Sequence, residues 1–231
     1  MRYNNVVSGI FLERPNRFIA HVEIQGEKQV VHVKNTGRCR ELLLPGTRVW
    51  LEISDNPARK TKYDLVTVEK RRENRAPLLV NMDSQMPNHL VREWLPNSGL
   101  FSPQAMIRPE VTFGASRFDF YIDDGQTKTF LEVKGVTLER EGVAMFPDAP
   151  TERGVKHLQE LIKCIEQGYR AVAVFVIKMK EIHIFRPNTE THPAFAQALK
   201  EAKAAGVEVL AVDCRVREDS IFIDKSVPVE L

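Results

Sequence analysis

Two short segments carry the residue types from which hydrolytic chemistry is built: Arg117-Phe-Asp119-Phe120 and Phe130-Leu-Glu132-Val-Lys134. Strand side chains alternate faces, so Glu132 and Lys134 share one face, with Leu131 and Val133 on the other. By the same rule Phe118, Phe120 and Ile122 share a face, with Asp119 opposite. A turn at Asp123–Gln126 folds the two strands antiparallel. Reflection about that turn sets Asp119 opposite residue 130 or 131, one diagonal step from Glu132. Two carboxylates and an ammonium group then converge on adjacent strands. The apolar residues around them place the strands inside a domain, where unpaired charge is costly. Oxygen ligands at this density suit Mg²⁺ or Mn²⁺ better than a soft metal. Asp119 and Glu132 are the expected metal ligands. Glu110, on the preceding strand, is a third candidate, and Glu93, on the helix before it, another. Lys134 would stabilise developing charge or help to deprotonate water. A metal that polarises a phosphate, with a cation beside it, supplies the parts of phosphodiester cleavage.

The plainer reading stands beside this one. Glu-x-Lys alone says little in a chain that is 28% charged. The pair could be an ordinary salt bridge worth at most ~1 kcal/mol. Asp119 on a hairpin partner strand raises the signal. Further along, Thr151 reads as the N-cap of a helix whose apolar stripe is Val155, Leu158, Leu161, Ile162 and Ile165, ending at Gly168. Arg153, Lys156 and Glu160 lie at helical spacing, with His157 next to Lys156. Either Lys156 or His157 sits at the mouth of the site against phosphate, or this is a solvated polar face. The remaining histidines, His21, His32, His89, His183 and His192, show no ligand spacing such as HExxH.

The elements that must position these groups divide the chain in two. Up to about residue 82, short alternating runs are separated by polar turns: 18–24, 29–33, 48–53, 63–69 and 77–80. Several short strands with no long helix predict a small barrel of the OB type. From Asp83 the texture changes. A helix from Ser84 through Leu95 is followed by strands at 109–113, 116–122 and 129–134. After a loop carrying Phe146-Pro-Asp148 come the Thr151 helix, a buried strand 171–177, a strand 181–185, a helix 193–205 and a strand 207–212. This order predicts a mixed three-layer α/β domain. The expected domains are therefore 1–82 and 83–231.

Composition agrees with two modest domains. The chain has 231 residues and a formal net charge of +2. Residues 1–82 sum to +6 and residues 83–231 to −4, so near-neutrality conceals a basic first third. Arg14, Arg17, Lys34, Arg38, Arg40, Arg59, Lys60 and Lys62 supply that excess, with Phe18 and Tyr63 as candidate stacking aromatics. Trp50 and Trp94 read as core. Gly and Pro, at 12 and 13, exclude a fibrous chain. Three cysteines, Cys39, Cys164 and Cys214, form no CxxC pair. Neither a cysteine zinc site nor a disulfide framework is expected, which favours a reducing cytoplasm. No signal peptide and no apolar run of about 20 residues are present, so no membrane is expected as partner.

Together, Asn35-Thr-Gly-Arg38, Arg117-Phe-Asp-Phe120, Leu131-Glu-Val-Lys134, Phe146-Pro-Asp-Ala149, Thr151-Glu-Arg-Gly154, Lys156-His-Leu158 and the C-terminal Ser226-Val-Pro-Val-Glu-Leu231 resemble the sugar fermentation stimulation protein A family. The resemblance implies an N-terminal OB-like domain and a C-terminal domain similar to the PD-(D/E)xK nucleases, of restriction-endonuclease type. Asp119 then matches that superfamily's aspartate, and Glu132 and Lys134 its Glu-x-Lys, while Phe118 replaces the proline of the motif. The resemblance further implies a DNA-binding protein without marked sequence preference, linked to sugar (maltose) utilisation. Mg²⁺ or Mn²⁺ is the expected cofactor, with no small-molecule cofactor besides. The expected catalytic residues are Asp119, Glu132 and Lys134. The expected nucleic-acid contacts are Arg17, Arg38, Arg40, Lys60, Lys62, Arg153, Lys156 and His157. A non-catalytic DNA-binding regulator is the alternative, and an oligosaccharide-binding barrel a weaker third reading.

Overall fold

The computed structural model describes every residue except Thr36 and Asn74, so the Thr of the Asn35–Arg38 motif lies outside the described residues. The chain forms two compact units: 1–86 with 178–181 and 214–222, and 87–177 with 182–213 and 223–231.

The first unit holds six strands: β1 (Val6–Asn16), β2 (Ile19–Ile24), β3 (Glu27–Val33), β4 (Arg48–Ile53), β5 (Tyr63–Lys70) and β6 (Leu78–Asn81). They run in the order β3-β2-β1-β4-β5-β6. A parallel pairing of β3 with β5, Val31↔Tyr63 to Val33↔Leu65, closes β1–β5 into a five-stranded barrel of the OB type. Alternation drives closure: Val22, Val31, Val33, Val49, Leu51, Leu65 and Val68 are all buried. The sequence pattern does not reveal β1, where Glu13-Arg14-Pro15 breaks the apolar rhythm. β1 pairs with both β2 and β4, and its ladder with β2 shifts register around Glu13. Gly9 permits this. A Cβ there would stand 2.5 Å from Val22 Cγ1 and 2.8 Å from the Glu23 carbonyl oxygen, so only glycine allows the close strand approach.

Where β3 meets β5, His32 and Asp64 are cross-strand partners. Asp64, 3% exposed, accepts both Arg59 terminal nitrogens at 2.6 Å and lies 2.8 Å from His32 Nδ1. Lys34 Nζ lies 3.3 Å from it and 3.3 Å from Asp83. Burial opposes ionisation of Asp64, but Arg59, His32 and Lys34 outweigh it and bring the carboxyl down to about 2. A buried carboxylate with this many donors is stabilising because its partners are complete.

The second unit begins with α1 (Met86–Trp94), which passes into a 3-10 turn, Leu95–Asn97. Strands β7 (Met106–Phe113), β8 (Ser116–Asp123), β9 (Lys128–Val136), β10 (Leu138–Arg140) and β11 (Val143–Phe146) come next. After them come α2 (Glu152–Glu166), β12 (Arg170–Ile177), β13 (Ile184–Pro187), α3 (Pro193–Ala204), β14 (Glu208–Val216) and β15 (Ile221–Val227). The main sheet runs β15-β14-β12-β9-β8-β7, with β10-β11-β13 as a small second sheet. β9, β12 and β14 are parallel and β7-β8-β9 antiparallel, so the sheet is mixed, as expected. β12 is buried along Ala171–Ile177, which explains its continuous apolar run. α2 packs on β8, β9 and β12 and against α3.

The strand read at 181–185 lies instead at 184–187, because Glu181 takes a left-handed backbone (φ 62°). β10, β11 and β15 are unanticipated: the first two are only three and four residues long, and in β15 Asp224-Lys-Ser226 interrupts the apolar run. No helix among the described residues is long and apolar enough to cross a membrane. The three cysteines are buried and no disulfide joins them.

Candidate functional site

The acidic pair sits where β8 and β9 part. Their ladder runs from Asp123↔Lys128 to Phe120↔Leu131. Continued one step, this register brings Asp119 level with Glu132 rather than one diagonal step away. The reason is the turn, which is Asp124–Thr127: Asp124 Oδ1 accepts the amides of Gln126 at 3.0 Å and Thr127 at 2.7 Å. Beyond Phe120 the Asp119 side chain replaces the backbone partner, Oδ2 accepting the Val133 amide at 2.7 Å. Its other oxygen, Oδ1, accepts Asn88 Nδ2 of α1 at 2.8 Å. Burial, and next the negative charge of Glu132, push the Asp119 carboxyl above the usual range despite these bonds.

Glu132 is 3% exposed. One of its oxygens, Oε1, takes hydrogen bonds from both Lys134 Nζ and His157 Nδ1. The other, Oε2, is buried with no hydrogen-bond partner. Burial favours the neutral acid, but the His157 bond and the charge and bond of Lys134 outweigh it, so Glu132 is held below the usual carboxylate range. The arrangement is thus an ionised glutamate with one oxygen filled and one bare, beside a second carboxylate that its charge disturbs.

Helix α2 delivers His157. The Thr151 hydroxyl caps it by accepting the Gly154 amide at 3.0 Å. Arg153 Nε, which can only donate, reaches His157 Nε2 at 3.3 Å. Nε2 therefore accepts, and the ring proton is on Nδ1, directed at Glu132. Phe118 packs edge-on to the His157 ring at 6.1 Å. The helix is pinned to the β7–β8 turn at two points. Lys156 Nζ donates to the Ala115 carbonyl at 2.8 Å, and Glu160 Oε2 accepts the Ala115 amide at 3.3 Å.

The structure thus brings together Asp119, Glu132, Lys134 and His157, with Arg153 behind His157. His157 was expected to touch phosphate. It is buried instead, with both ring nitrogens engaged inside the protein, and acts through Glu132. Lys156 is exposed but serves the β7–β8 turn. Glu110 is exposed, with Arg117 Nη1 3.6 Å from its carboxylate, and Glu93 is exposed on α1. Among the described residues no group of three or more His, Cys, Asp or Glu is gathered to hold an ion. A small divalent cation here would draw its protein ligands from Asp119 and Glu132 alone. Such a cation commonly takes one or two carboxylates and fills its remaining positions with water and phosphate oxygens. The hard-oxygen donor set and the bare buried Oε2 both fit it. Sequence reasoning did not single out Asn88, an amide on a helix with no pattern of its own to mark it.

In the first unit, Arg17, Arg38 and Arg40 do converge. With Arg14 they line a cavity of about 310 Å³. Arg17 also stands 5.3 Å over the ring of Phe18, which is 49% exposed. Lys60 and Lys62 are exposed but do not line this cavity, and Lys62 Nζ lies 5.5 Å over Tyr63. Lys34 and Arg59, counted in the basic excess, are engaged by Asp64 and leave that surface. Trp50 is buried, as expected of a core residue.

Two family models match the chain. The sugar fermentation stimulation protein RE domain matches residues 85–220, and the SfsA N-terminal OB domain residues 12–76. A sugar fermentation stimulation protein homolog of Desulfitobacterium hafniense is 58% identical over 231 residues, covering 100% of this chain and 99% of its own. One from Clostridium beijerinckii is 54% identical, with both chains covered in full. A solved structure, of Pyrococcus furiosus SfsA in complex with Ca²⁺, superposes with a TM-score of 0.87 at 29% identity, covering 100% of this chain and 98% of that one.

Proposed function

The chain belongs to the sugar fermentation stimulation protein family, and from that premise we propose that it is a DNA-binding protein whose second unit carries a divalent-metal-dependent phosphodiesterase site. The observation that carries this reading is Glu132 Oε2: buried, bare, on an ionised carboxylate level with Asp119. Leaving such an atom unmatched costs a folded protein free energy, and functional sites are where that cost recurs. The relative from Pyrococcus furiosus is described in complex with Ca²⁺, itself an oxygen-seeking divalent cation, which supports the same reading.

In this assignment Asp119 and Glu132 would hold Mg²⁺ or Mn²⁺. When bound, the cation supplies Lewis acidity to a phosphodiester oxygen. Lys134, 17% exposed, presents a positive charge beside the same face, where charge develops on the phosphate. His157 keeps Glu132 ionised and oriented, and Asn88 orients Asp119. Arg17, Arg38 and Arg40 of the first unit would contact the nucleic acid. The three cysteines, none in a disulfide, agree with action in the cytoplasm.

One observation favours a second reading. No third acidic or histidine ligand joins Asp119 and Glu132 among the described residues. The protein would then be a non-catalytic, sequence-nonspecific DNA-binding regulator of sugar metabolism. Hydrolysis of single- and double-stranded DNA and RNA with Mg²⁺ or Mn²⁺ separates the two. Cleavage that disappears in Glu132→Ala and in Lys134→Ala supports the phosphodiesterase. Cleavage that survives both substitutions comes from elsewhere and overturns it, as does no cleavage of any substrate.

A further inference from the structure

The cavity in the first unit has an unusual charge inventory. Arg14, Arg17, Arg38 and Arg40 surround about 310 Å³, with Leu43 on the wall and no acidic side chain in the lining. Some arginines elsewhere are matched by a carboxylate: Arg59 by Asp64, Arg72 by Glu181, Arg170 by Glu208. The four around the cavity have no carboxylate partner among the described residues. Arg14 shows how the site is built. Its two terminal nitrogens donate to the carbonyl oxygens of Arg17 at 2.7 Å, Asn35 at 2.6 Å, Gly37 at 2.9 Å and Arg38 at 2.8 Å. This guanidinium holds the backbone of Arg17, Asn35, Gly37 and Arg38 around itself. Its Nε is buried with no hydrogen-bond partner. The carbonyls satisfy donors but leave the charge in place.

Like charges crowded around one cavity repel each other, and no ion pair among the described residues offsets this. The complement is an anion of more than one charge. An internal phosphodiester carries a single negative charge. A phosphate monoester carries about −1.5 to −2 at pH 7 and three acceptor oxygens, which suit several guanidinium forks at once. The volume reaches the lower range of small-molecule pockets, about 300 Å³, so it takes more than a bare phosphate. Leu43 and the Phe18 ring beside Arg17 offer apolar surface to the rest of such a ligand.

We infer that this cavity seats a nucleotide by its terminal phosphate monoester, either as a strand end or as a free mononucleotide. The strand-end form rests on the nucleic-acid reading above; the mononucleotide form does not. The test uses the full-length protein in EDTA. Anisotropy compares a short single-stranded DNA, labelled at its 3′ end, with a 5′-phosphate or a 5′-hydroxyl. Calorimetry compares adenosine 5′-monophosphate with adenosine. The phosphorylated end binds about tenfold tighter, as one charge-assisted bidentate contact implies. That ratio falls to near unity in the double variant Arg38→Gln, Arg40→Gln, whose side chains are exposed, with circular dichroism confirming the fold. If only the mononucleotide binds, and binding is lost in the variant, the cavity stands as a mononucleotide site and the nucleic-acid reading fails. If DNA binds equally with either end and the monophosphate no better than adenosine, the cavity is overturned and the nucleic-acid reading survives. A phosphate preference that persists in the double variant overturns the assignment to this cavity.

Discussion

His157 directs its Nδ1 proton at Oε1 of Glu132, the oxygen that Lys134 also uses, so Oε2 is left bare. Two donors on one oxygen and none on the other make the carboxylate a one-armed ligand whose free arm is chosen by its partners.

Removing that partner is the first prediction. His157→Ala lowers Mn²⁺ affinity by about 10- to 100-fold, the range for groups that orient metal ligands. Calorimetric titration of the folded variant measures it. Unchanged affinity would show that Glu132 needs no orientation.

The barrel's acid sensitivity stems from Asp64. Its carboxyl lies at about 2 in the folded chain against an ordinary 3.8. A depressed folded value contributes stability that is full above the ordinary value and is lost as pH falls through the folded one. The contribution is about 2 kcal/mol, disappearing between about pH 4 and pH 2. Urea unfolding across this window checks it. Asp64→Asn flattens the dependence and destabilises the chain at neutral pH, because Arg59 loses its carboxylate and Lys34 one of the carboxylates around it.

If the first unit binds DNA as proposed, residues 1–82 carry the salt dependence of that binding. The log–log slope of affinity against salt falls by about 1 for each of Arg17→Ala, Arg38→Ala and Arg40→Ala, the loss of one phosphate contact. Anisotropy at several salt concentrations gives the slope. A slope the three substitutions leave unaltered places the DNA elsewhere.

Gly114 tests the clamp on α2. Its φ is +54° and a Cβ would stand 2.5 Å from Glu160 Oε2, the atom that holds the Ala115 amide. Gly114→Ala adds left-handed strain and displaces Glu160, costing about 1–3 kcal/mol in thermal or urea unfolding. Wild-type stability in this variant would show that the turn has another conformation open to it.

Much of the site was legible because strands alternate. Period two alone put Glu132 and Lys134 on one face, and Thr151 announced the helix that carries His157. The register could not be read from the residues, since Asp124 shifts the turn along the chain by one position and so moves Asp119 from diagonal to level. Asn88 reaches Asp119 from another element, and such contacts leave no local trace. Likewise the basic count of the first unit was readable, but not which charges remain available. Lys34 and Arg59 turn inward to Asp64, and Arg14 is wrapped in carbonyls. β1 went unread because its ladder irregularity falls on the charged residues that mask its alternation.

Glu110 succeeds Pro109 on β7, the last strand of the main sheet, and holds a left-handed backbone at φ +55°. A bare sheet margin is a template on which other chains add strands and clump. Proline offers no amide there, and the left-handed residue beside it bends the run of donors and acceptors. The margin nearest the acidic pair is thereby made a poor seed for strand addition.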